Sequence, residues 1–441
     1  MRFSWKNSQL HVMYNMYDEM GKGRCAMLYS VVAQNIIAWL SGSLFYTSFL
    51  LQNGINLVNI GIITFVPYIA NCFTIFIPFV LEKFRSRRWL LAVGRASYYT
   101  LYILGITVLT PMIENPSAKV AVFVAITFVA NIINAMCNNG YSVWHLNFIP
   151  GGFRAGYFSS STAIASYLGI GLGLLGSVVA DALAGSAHEY TIIVVFRYIA
   201  YALGMLEAIL LALPKEFPYP QTRAPRITDI FSRPLHQKKF MMTMLIMFLY
   251  NMGVGMTSGC LNAYLLDTVG VSFTFIQLIN FMYPVFLTIF SRHSQNNIRR
   301  LGWYKAFAFF ILLQFPTTLA YSFVTASNFW ILMPIVRLIQ HYTGSTANIA
   351  AQNLQFINAT KEGQTNFLAF NTIVTSLGAF LGVSLATSFI AANPTLSLNV
   401  LGMNFCNVQV LMLAQAMFEL CVPFLVLFLA KKFDLENGEA Y

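Results

Sequence analysis

The sequence predicts an all-α membrane protein in which twelve transmembrane helices form two pseudo-symmetric six-helix bundles. Apolar residues make up 57% of the 441 residues and charged residues only 9%, whereas about a quarter of an ordinary soluble protein is charged. The apolar residues fall into twelve runs, each close to the roughly 20 residues with which a helix crosses a bilayer. The last six runs repeat motifs of the first six, which indicates two related halves.

We number these runs as spans one to twelve in chain order. The first six lie at about 27–51, 58–80, 89–111, 118–140, 158–181 and 191–213. The second six lie at about 240–266, 272–290, 303–325, 328–350, 366–391 and 407–430. The predicted organisation is an N-terminal segment 1–26, a bundle 27–213, a linker 214–239, a second bundle 240–430 and a tail 431–441.

The distribution of lysine and arginine predicts which side of the membrane each loop faces. The termini, the linker and the loops after spans two, four, eight and ten carry 21 of the 26 basic residues, and the opposite loops carry only Lys119. Cytoplasmic loops hold the excess of basic residues in membrane proteins. We therefore expect a multi-pass protein of the cytoplasmic membrane with both termini in the cytoplasm. The net charge of +11 then reflects basic loops beside anionic lipid rather than a nucleic-acid partner.

Sequence matches in chain order relate the two halves. The motif HLNFI before span five resembles NLQFI before span eleven. Within these spans, Gly169 and Gly173 correspond at one offset to Gly378 and Gly382. Glycine costs a helix about 1 kcal/mol relative to alanine, so we expect these four residues to allow close backbone approach between helices. We assign them to gating, with static packing as the alternative.

Two six-helix halves, a long basic central loop and cytoplasmic termini resemble the major facilitator superfamily. The loop after span two, Glu82-Lys-Phe-Arg-Ser-Arg-Arg88, is similar to that family's G-x-x-x-D-R-x-G-R-R loop, and residues 150–158 resemble the short helix before span five of many members. The resemblance covers nearly the whole chain. It implies two bundles around a central cavity, alternating access by rocking, and spans three, six, nine and twelve toward lipid. It also implies a gating role for Glu82, Arg85, Arg87 and Arg88.

One cluster of polar residues in span ten stands out. Arg337 lies about nine residues into the span, or roughly 14 Å from its outer end, and Gln340 and His341 follow within about a turn. Charge inside hydrocarbon is costly and tends to mark function. A planar guanidinium suits carboxylate or phosphate, so these three residues are predicted to contact substrate. A structural arginine bonded to carbonyls or to a glutamate is the alternative.

Amide and aromatic side chains that share faces of other spans are also predicted to contact substrate. They are Asn35 and Trp39 in span one, Asn71 in span two, Asn131 and Asn134 in span four, Asn251 in span seven, and Gln277 and Asn280 in span eight. Amides on several facing helices can bind hydroxyl and amide groups of a solute. Hydrogen bonding between helices is the alternative role.

Two acidic residues, Glu207 in span six and Glu419 in span twelve, occupy similar places in the two halves. A buried carboxyl group can carry a proton near neutral pH. Both residues, together with His341, are therefore candidates for coupling transport to a proton. The alternative is a structural ion pair, for example between Glu207 and Arg197.

These features favour a secondary transporter, such as a symporter, that moves a small polar organic solute by alternating access, with an anionic solute as one option. An exporter of amphipathic compounds and a membrane-embedded acyltransferase are the alternatives. No enzymatic activity, cofactor or metal is expected, and the chain contains no G-x-x-x-x-G-K-[ST] phosphate-binding loop. The expected partners are the solute, the lipid bilayer and, for a symporter, a proton or another ion. We expect a monomer.

Thiol labelling from outside the cell tests this topology. In a variant without native cysteines, a cysteine at Ser117, Ser186 or Ser327 should react with an impermeant reagent, because these positions lie in the predicted external loops. A cysteine at Thr222 or Ser294 should not react. External labelling at Thr222 would contradict both the orientation and the number of spans.

Overall fold

The computed structural model of the protein describes residues 14–81, 83–149, 154–217, 227–359, 364–400 and 402–435. Helices occupy all twelve predicted runs. In the first half they are Glu19–Ser41, Ser43–Gln52, Leu57–Cys72, Ile77–Leu81, Arg88–Tyr99, Ile106–Leu109, Pro116–His145, Arg154–Ala182 and Glu189–Ala212. In the second half they are Lys238–Ser258, Leu261–Ala263, Phe273–Leu301, Trp303–Leu312, Phe315–Tyr321, Phe329–Leu354, Gln364–Ala392 and Asn407–Phe433.

Among the described residues, nine helical stretches are long and apolar enough to cross a membrane. Spans three, nine and ten do not reach that threshold. Span three carries Arg88 and Arg95 and contains a π-helical turn, Thr100–Gly105. A break before Pro316 divides span nine, because proline lacks the N–H that continues a helix. Span ten is one helix, but it carries Arg337 and several amides. The predicted helical membrane fold is confirmed, and the count of twelve crossings stays a prediction.

Two local features differ from the sequence-based boundaries. The linker contains a helix, Ile227–His236, whose buried Ile230 packs with Ile373 of span eleven. Span eight continues as a helix to Leu301 instead of ending near residue 290, so Ser294 is fully buried and cannot report on a loop. Apolar runs show where a helix meets lipid, but they do not show where its hydrogen bonding ends.

A short hairpin precedes span twelve, which the sequence did not indicate. Leu398–Val400 pairs antiparallel with Met403–Phe405. Gly402 has a φ of 83°, a conformation that glycine adopts without steric cost. The Gly402 N–H donates to the Asn399 side chain at 3.2 Å, which stabilises the turn.

The chain forms two compact units. The first comprises Met1–Asn53 and Phe76–Ala224, and the second comprises Gly54–Ile75 and Pro225–Tyr441. The helix Leu57–Cys72 of span two therefore packs with the second unit, where it contacts span eleven. Packing thus departs from a simple division of the chain at the linker, and the predicted bundle boundaries stay predictions.

In the first unit, span one packs against spans five and six. A Cβ atom on Gly169 of span five would lie 2.8 Å from the Asn35 Cβ and 3.2 Å from the Trp39 Cδ1 of span one. Only glycine permits this approach without a shift of the helices. Gly173, one turn further on, is buried, and its carbonyl accepts a hydrogen bond from Ser177 at 2.9 Å.

One buried arginine satisfies backbone groups at breaks in two spans of this unit. Arg197 of span six is 1% exposed. Its guanidinium donates to the Ser41 carbonyl at 3.4 Å, where span one breaks, and to the Tyr102 and Ile103 carbonyls at 3.2 Å in the π-helical turn. Its Nε donates to the Thr107 hydroxyl at 2.6 Å. Unpaired carbonyls in hydrocarbon cost several kcal/mol each, so Arg197 stabilises both irregular segments.

In the second unit, spans seven and eleven pack backbone to backbone. A Cβ atom on Gly378 or Gly382 would overlap the carbonyl oxygens of Phe248 or Met252 in span seven. Gly255 of span seven approaches span eleven in the same way. The glycines therefore do lie at close helix contacts. Because each contact joins helices of one unit, the geometry supports a packing role, and the gating role stays a prediction.

Replacing Gly382 by leucine tests which role applies. Gly382→Leu should lower the melting temperature in detergent, because overpacking costs about 1–3 kcal/mol. Gly171→Leu is the matched control, since no atom lies within 4 Å of its Cβ position, and it should not destabilise the protein. Loss of transport well beyond the loss of stability, with altered cross-linking on the cytoplasmic side, would support gating. An unchanged melting temperature would contradict the packing contact.

Candidate functional site

Three spans of the first unit bring together a buried ion pair. Arg95 of span three is 2% exposed and Glu207 of span six is 0% exposed. The Arg95 Nε lies 3.6 Å from the Glu207 Oε2, which is an ion-pair distance but longer than a hydrogen bond. Glu207 Oε1 accepts hydrogen bonds from Ser30 at 2.6 Å and Gln34 at 2.9 Å on span one. One cation and two donors thus offset the buried carboxylate, as burial of a charge requires.

The expected pairing of Glu207 with Arg197 is wrong. Both residues lie on span six, and their ten-residue separation corresponds to about 15 Å along a helix, so the side chains cannot meet. Arg95 of span three takes the place expected for Arg197. Spans three and six were expected to face lipid, but their inner faces carry this pair.

The amides of span four serve mainly the protein itself. The Arg95 guanidinium donates to the side-chain oxygens of Asn134 and Asn138. Asn131 and Asn35 each donate to a carbonyl four residues earlier in their own helix, at 2.7 and 2.9 Å. That bond uses the NH₂ group and leaves the amide oxygen free to accept. The Asn134 contact supports a structural role, and substrate contact by these residues stays a prediction.

The predicted gating loop begins the helix of span three. Glu216, beyond span six, accepts hydrogen bonds from the backbone N–H groups of Arg87 and Arg88, the latter at 2.9 Å. Desolvation acts to raise the pKa of Glu216. The two backbone hydrogen bonds, a further hydrogen bond from the Ser86 side chain and the positive charge of Arg88 outweigh this effect, so the pKa of Glu216 lies below its usual value. Arg85 is exposed.

Two predicted features lie outside the described residues. They are Glu82, the acidic residue of the predicted gating loop, and residues 150–153, which begin the stretch before span five. Their roles stay predictions.

In the second unit, Arg337 has hydrogen-bond donors without partners. It is the ninth residue of the helix Phe329–Leu354, and it donates to the Gln340 Oε1 at 3.2 Å. Its Cζ lies 5.2 Å from the centroid of the Tyr321 ring. Its buried Nε makes no hydrogen bond, and no carboxylate of the described residues lies within ion-pair distance. The guanidinium is therefore held by Gln340 and Tyr321, and its Nε is a buried donor without a partner.

The other predicted contacts of this unit differ in how they are held. His341 is buried, and its Nε2 lies 3.0 Å from the Ile279 carbonyl of span eight. Gln277 of span eight is 1% exposed, and its Nε2 has no partner. Asn71, Asn251 and Asn280 are partly buried. Asn251 donates to a carbonyl of its own helix at 2.8 Å, as the span-one and span-four amides do.

Glu419 of span twelve differs from Glu207 in having no basic partner among the described residues. It is 9% exposed, and its Oε1 accepts a hydrogen bond from Gln415 at 3.0 Å. Its Oε2 has no hydrogen-bond partner. A cavity of about 20 Å³ adjoins the side chain.

Sequence reasoning missed Arg95, Thr318 and Tyr321. A signal for Arg95 was present, because a lone arginine and a lone glutamate inside spans of one half must find partners in hydrocarbon. Threonine and tyrosine are too common in membrane helices to be selected by sequence. Across the described part of the chain, no group of three His, Cys, Asp or Glu side chains could hold a metal ion.

Solved structures of transporters share this fold. The chain matches the nucleoside transporter NupG with a TM-score of 0.69 and 13% identity, over 94% of this chain and 99% of that one. It matches a bacterial homologue of the iron transporter ferroportin with a TM-score of 0.68 and 12% identity, over 94% of this chain and 99% of that one. It matches a D-xylose–proton symporter with a TM-score of 0.63 and 14% identity, over 94% of this chain and 98% of that one. No family model and no curated protein sequence matches. At these identities the likeness shows the fold alone.

The Arg95–Glu207 pair predicts a large effect on stability. Glu207→Gln should cost about 3–5 kcal/mol, because it leaves a buried guanidinium without a counter-charge. Adding Arg95→Met should recover much of that loss. Glu19→Gln, which removes the exposed ion pair with Lys22, is the control and should change stability by less than about 1 kcal/mol. Thermal unfolding in detergent provides the measurement, and a Glu207→Gln variant as stable as the parent would contradict the structural role.

Proposed function

We propose that the protein is a secondary transporter for a small anionic organic solute and that Arg337 binds the anionic group. The observation that carries this proposal is a guanidinium inside a span with a buried, unpartnered Nε and no carboxylate beside it. Charge in hydrocarbon is rare unless it serves a function. The contact with Gln340 orients the guanidinium without neutralising it.

The fold supports a transporter over an enzyme. The solved structures that share it bear the names of transporters for a nucleoside, iron and D-xylose with a proton. The acyltransferase alternative would use His145, but this ring stacks on Tyr141 and contacts Trp144, and its Nε2 has no hydrogen-bond partner to orient it. Such a ring lacks the fixed partner that a catalytic base requires.

The second alternative, an exporter of amphipathic compounds, would favour a site with few hydrogen-bonding groups. The unpartnered nitrogens of Arg337 and Gln277 point instead to a polar solute. We further propose that the protein lies in the cytoplasmic membrane as a monomer with both termini in the cytoplasm. The direction of transport follows the gradients that drive it.

Substitution of Arg337 tests the proposed anion site. Arg337→Lys keeps the charge but loses the planar fork, so uptake of the anionic solute into proteoliposomes should fall at least about tenfold, the equivalent of roughly 1.4 kcal/mol. The assay compares carboxylates and phosphates with neutral sugars and nucleosides. Stability should change little, because Arg337 has no ion-pair partner to lose.

Arg300→Lys is the matched control, since Arg300 is exposed at the end of the span-eight helix. It should transport as the parent does. Normal transport by Arg337→Gln would show that Arg337 is structural. Uptake of neutral solutes only would remove the anionic part of the proposal.

A further inference from the structure

The Arg337 guanidinium has one edge without a partner. Its Nη1 donates to the Gln340 Oε1 at 3.2 Å, and the Gln340 Nε2 donates to the Thr318 hydroxyl at 3.2 Å, so span nine fixes the orientation of the group. The remaining edge, formed by Nε and Nη2, carries two parallel N–H groups. The Nε is buried without a partner, and Nη2 makes no hydrogen bond within the described part of the chain. Two parallel donors match the two oxygens of a carboxylate.

The charge around this edge suits a solute with a single negative charge. Arg337 is the only lysine or arginine between Lys305 and Lys361. The neighbouring Tyr321 packs its ring on the guanidinium, and its buried hydroxyl has no partner, so it adds a neutral donor and no charge. A dianion would leave one of its charges uncompensated inside the span, where charge is costly.

The next turn of span ten presents a hydrogen-bond acceptor. The His341 Nε2 lies 3.0 Å from the Ile279 carbonyl oxygen of span eight. A carbonyl oxygen only accepts, so Nε2 carries the hydrogen of this bond. Among the described residues, no carboxylate lies within ion-pair distance of this ring, and a second cation one turn from Arg337 would be costly in hydrocarbon. The ring is therefore neutral, and in a neutral ring the other nitrogen, Nδ1, only accepts.

The His341 ring is held in place, but its Nδ1 is not engaged. Within the described part of the chain, the bond of Nε2 is the only hydrogen bond of the ring. Tyr283 of span eight packs against it, with ring centroids 5.5 Å apart. The ring is 8% exposed, so a hydrogen bond to Nδ1 forms largely out of water, where it is stronger.

The two free groups lie one helical turn apart on one face of span ten. Residues separated by four positions in a helix have Cβ atoms about 5–6 Å apart, and Arg337 and His341 lie within the continuous helix Phe329–Leu354. One small solute therefore reaches both of them. It must offer an anion to the guanidinium and a hydrogen-bond donor to the imidazole.

We propose that the solute is a monocarboxylate with a hydroxyl group on its second or third carbon. Its carboxylate binds the Nε–Nη2 edge of Arg337, and its hydroxyl donates to the His341 Nδ1, which makes His341 a specificity-determining residue. This inference rests on the proposed anion site at Arg337.

A hydroxyl fits this position better than an ammonium group. The ammonium of an amino acid would also donate to Nδ1, but it would bring a positive charge beside Arg337. Among the described residues, no carboxylate lies within ion-pair distance of Arg337 to balance that charge. A neutral hydroxyl satisfies the acceptor without this cost.

The first test measures dissociation constants for matched acids on the purified full-length protein, from the stabilisation against thermal unfolding at increasing acid concentration. The pairs are 2-hydroxypropanoate with propanoate and 3-hydroxybutanoate with butanoate. In at least one pair the hydroxy acid should bind about tenfold more tightly, the effect of one good hydrogen bond. Alanine, which carries an ammonium in place of the hydroxyl, should bind more weakly than 2-hydroxypropanoate. No preference in either pair, or tighter binding of alanine, would overturn the inference.

The second test assigns the preference to His341. His341→Phe keeps a ring against Tyr283 but has no acceptor, so the preference should fall to within about twofold while the unhydroxylated acid binds as before. His341→Gln keeps a donor and an acceptor in one planar group and should retain part of the preference, which keeps the test decisive if His341→Phe does not fold. His293→Phe, at an exposed position of the span-eight helix, is the matched control and should retain all of it. Full preference in a folded His341→Phe variant would overturn the role of His341.

Arg337→Gln separates this inference from the proposed function. It should weaken the binding of every acid at least about tenfold, whether or not the acid has a hydroxyl. If no acid binds the parent, or if Arg337→Gln binds the acids as the parent does, the anion site fails and this inference fails with it. If all acids bind in an Arg337-dependent way but without a preference for the hydroxyl, the anion site stands and only the hydroxyl contact is overturned.

Discussion

The bilayer interior offers no water, and this constraint decides how every polar group in the spans is arranged. A carbonyl, amide or charge inside a span must find its partner within the protein. The first unit meets this demand at two breaks in its spans and at one buried charge. Arg197 covers the carbonyls freed where span one breaks and span three forms a π-helical turn, and the Arg95–Glu207 pair closes on residues from span one.

Both units also contain buried polar atoms without a hydrogen-bond partner, and in the second unit these include the Arg337 Nε and the Glu419 Oε2. Arg337 and Glu419 are opposite charges in one unit, yet they do not pair with each other. Arg337 donates to Gln340, which donates to Thr318, and Glu419 accepts from Gln415 of its own helix. A buried charge without a counter-charge lowers stability, and this cost motivates the proposed anion site at Arg337.

Glycine residues allow apolar helix faces to approach each other closely. Span five approaches span one at Gly169, and span eleven approaches span seven at Gly378 and Gly382. The repeated small-residue faces thus join corresponding helices in the two units. Without a hydrophobic force between helices in lipid, such close contact is a main source of association. A glycine also allows the helix Leu57–Cys72 to pack tightly on span eleven, because Gly61 lies against Thr387 there.

The sequence by itself determined the membrane class, the twelve helical runs and the repeat, because lipid imposes one rule of length and polarity on every span. It also located Arg337 and the two buried glutamates, since charges are conspicuous in apolar runs. Only the tertiary structure decided the partners. Arg95 rather than Arg197 meets Glu207, and Gln340 meets Thr318, because these contacts depend on which helix faces turn toward each other. The helical period gives each face its residues, but packing against other spans decides which faces meet.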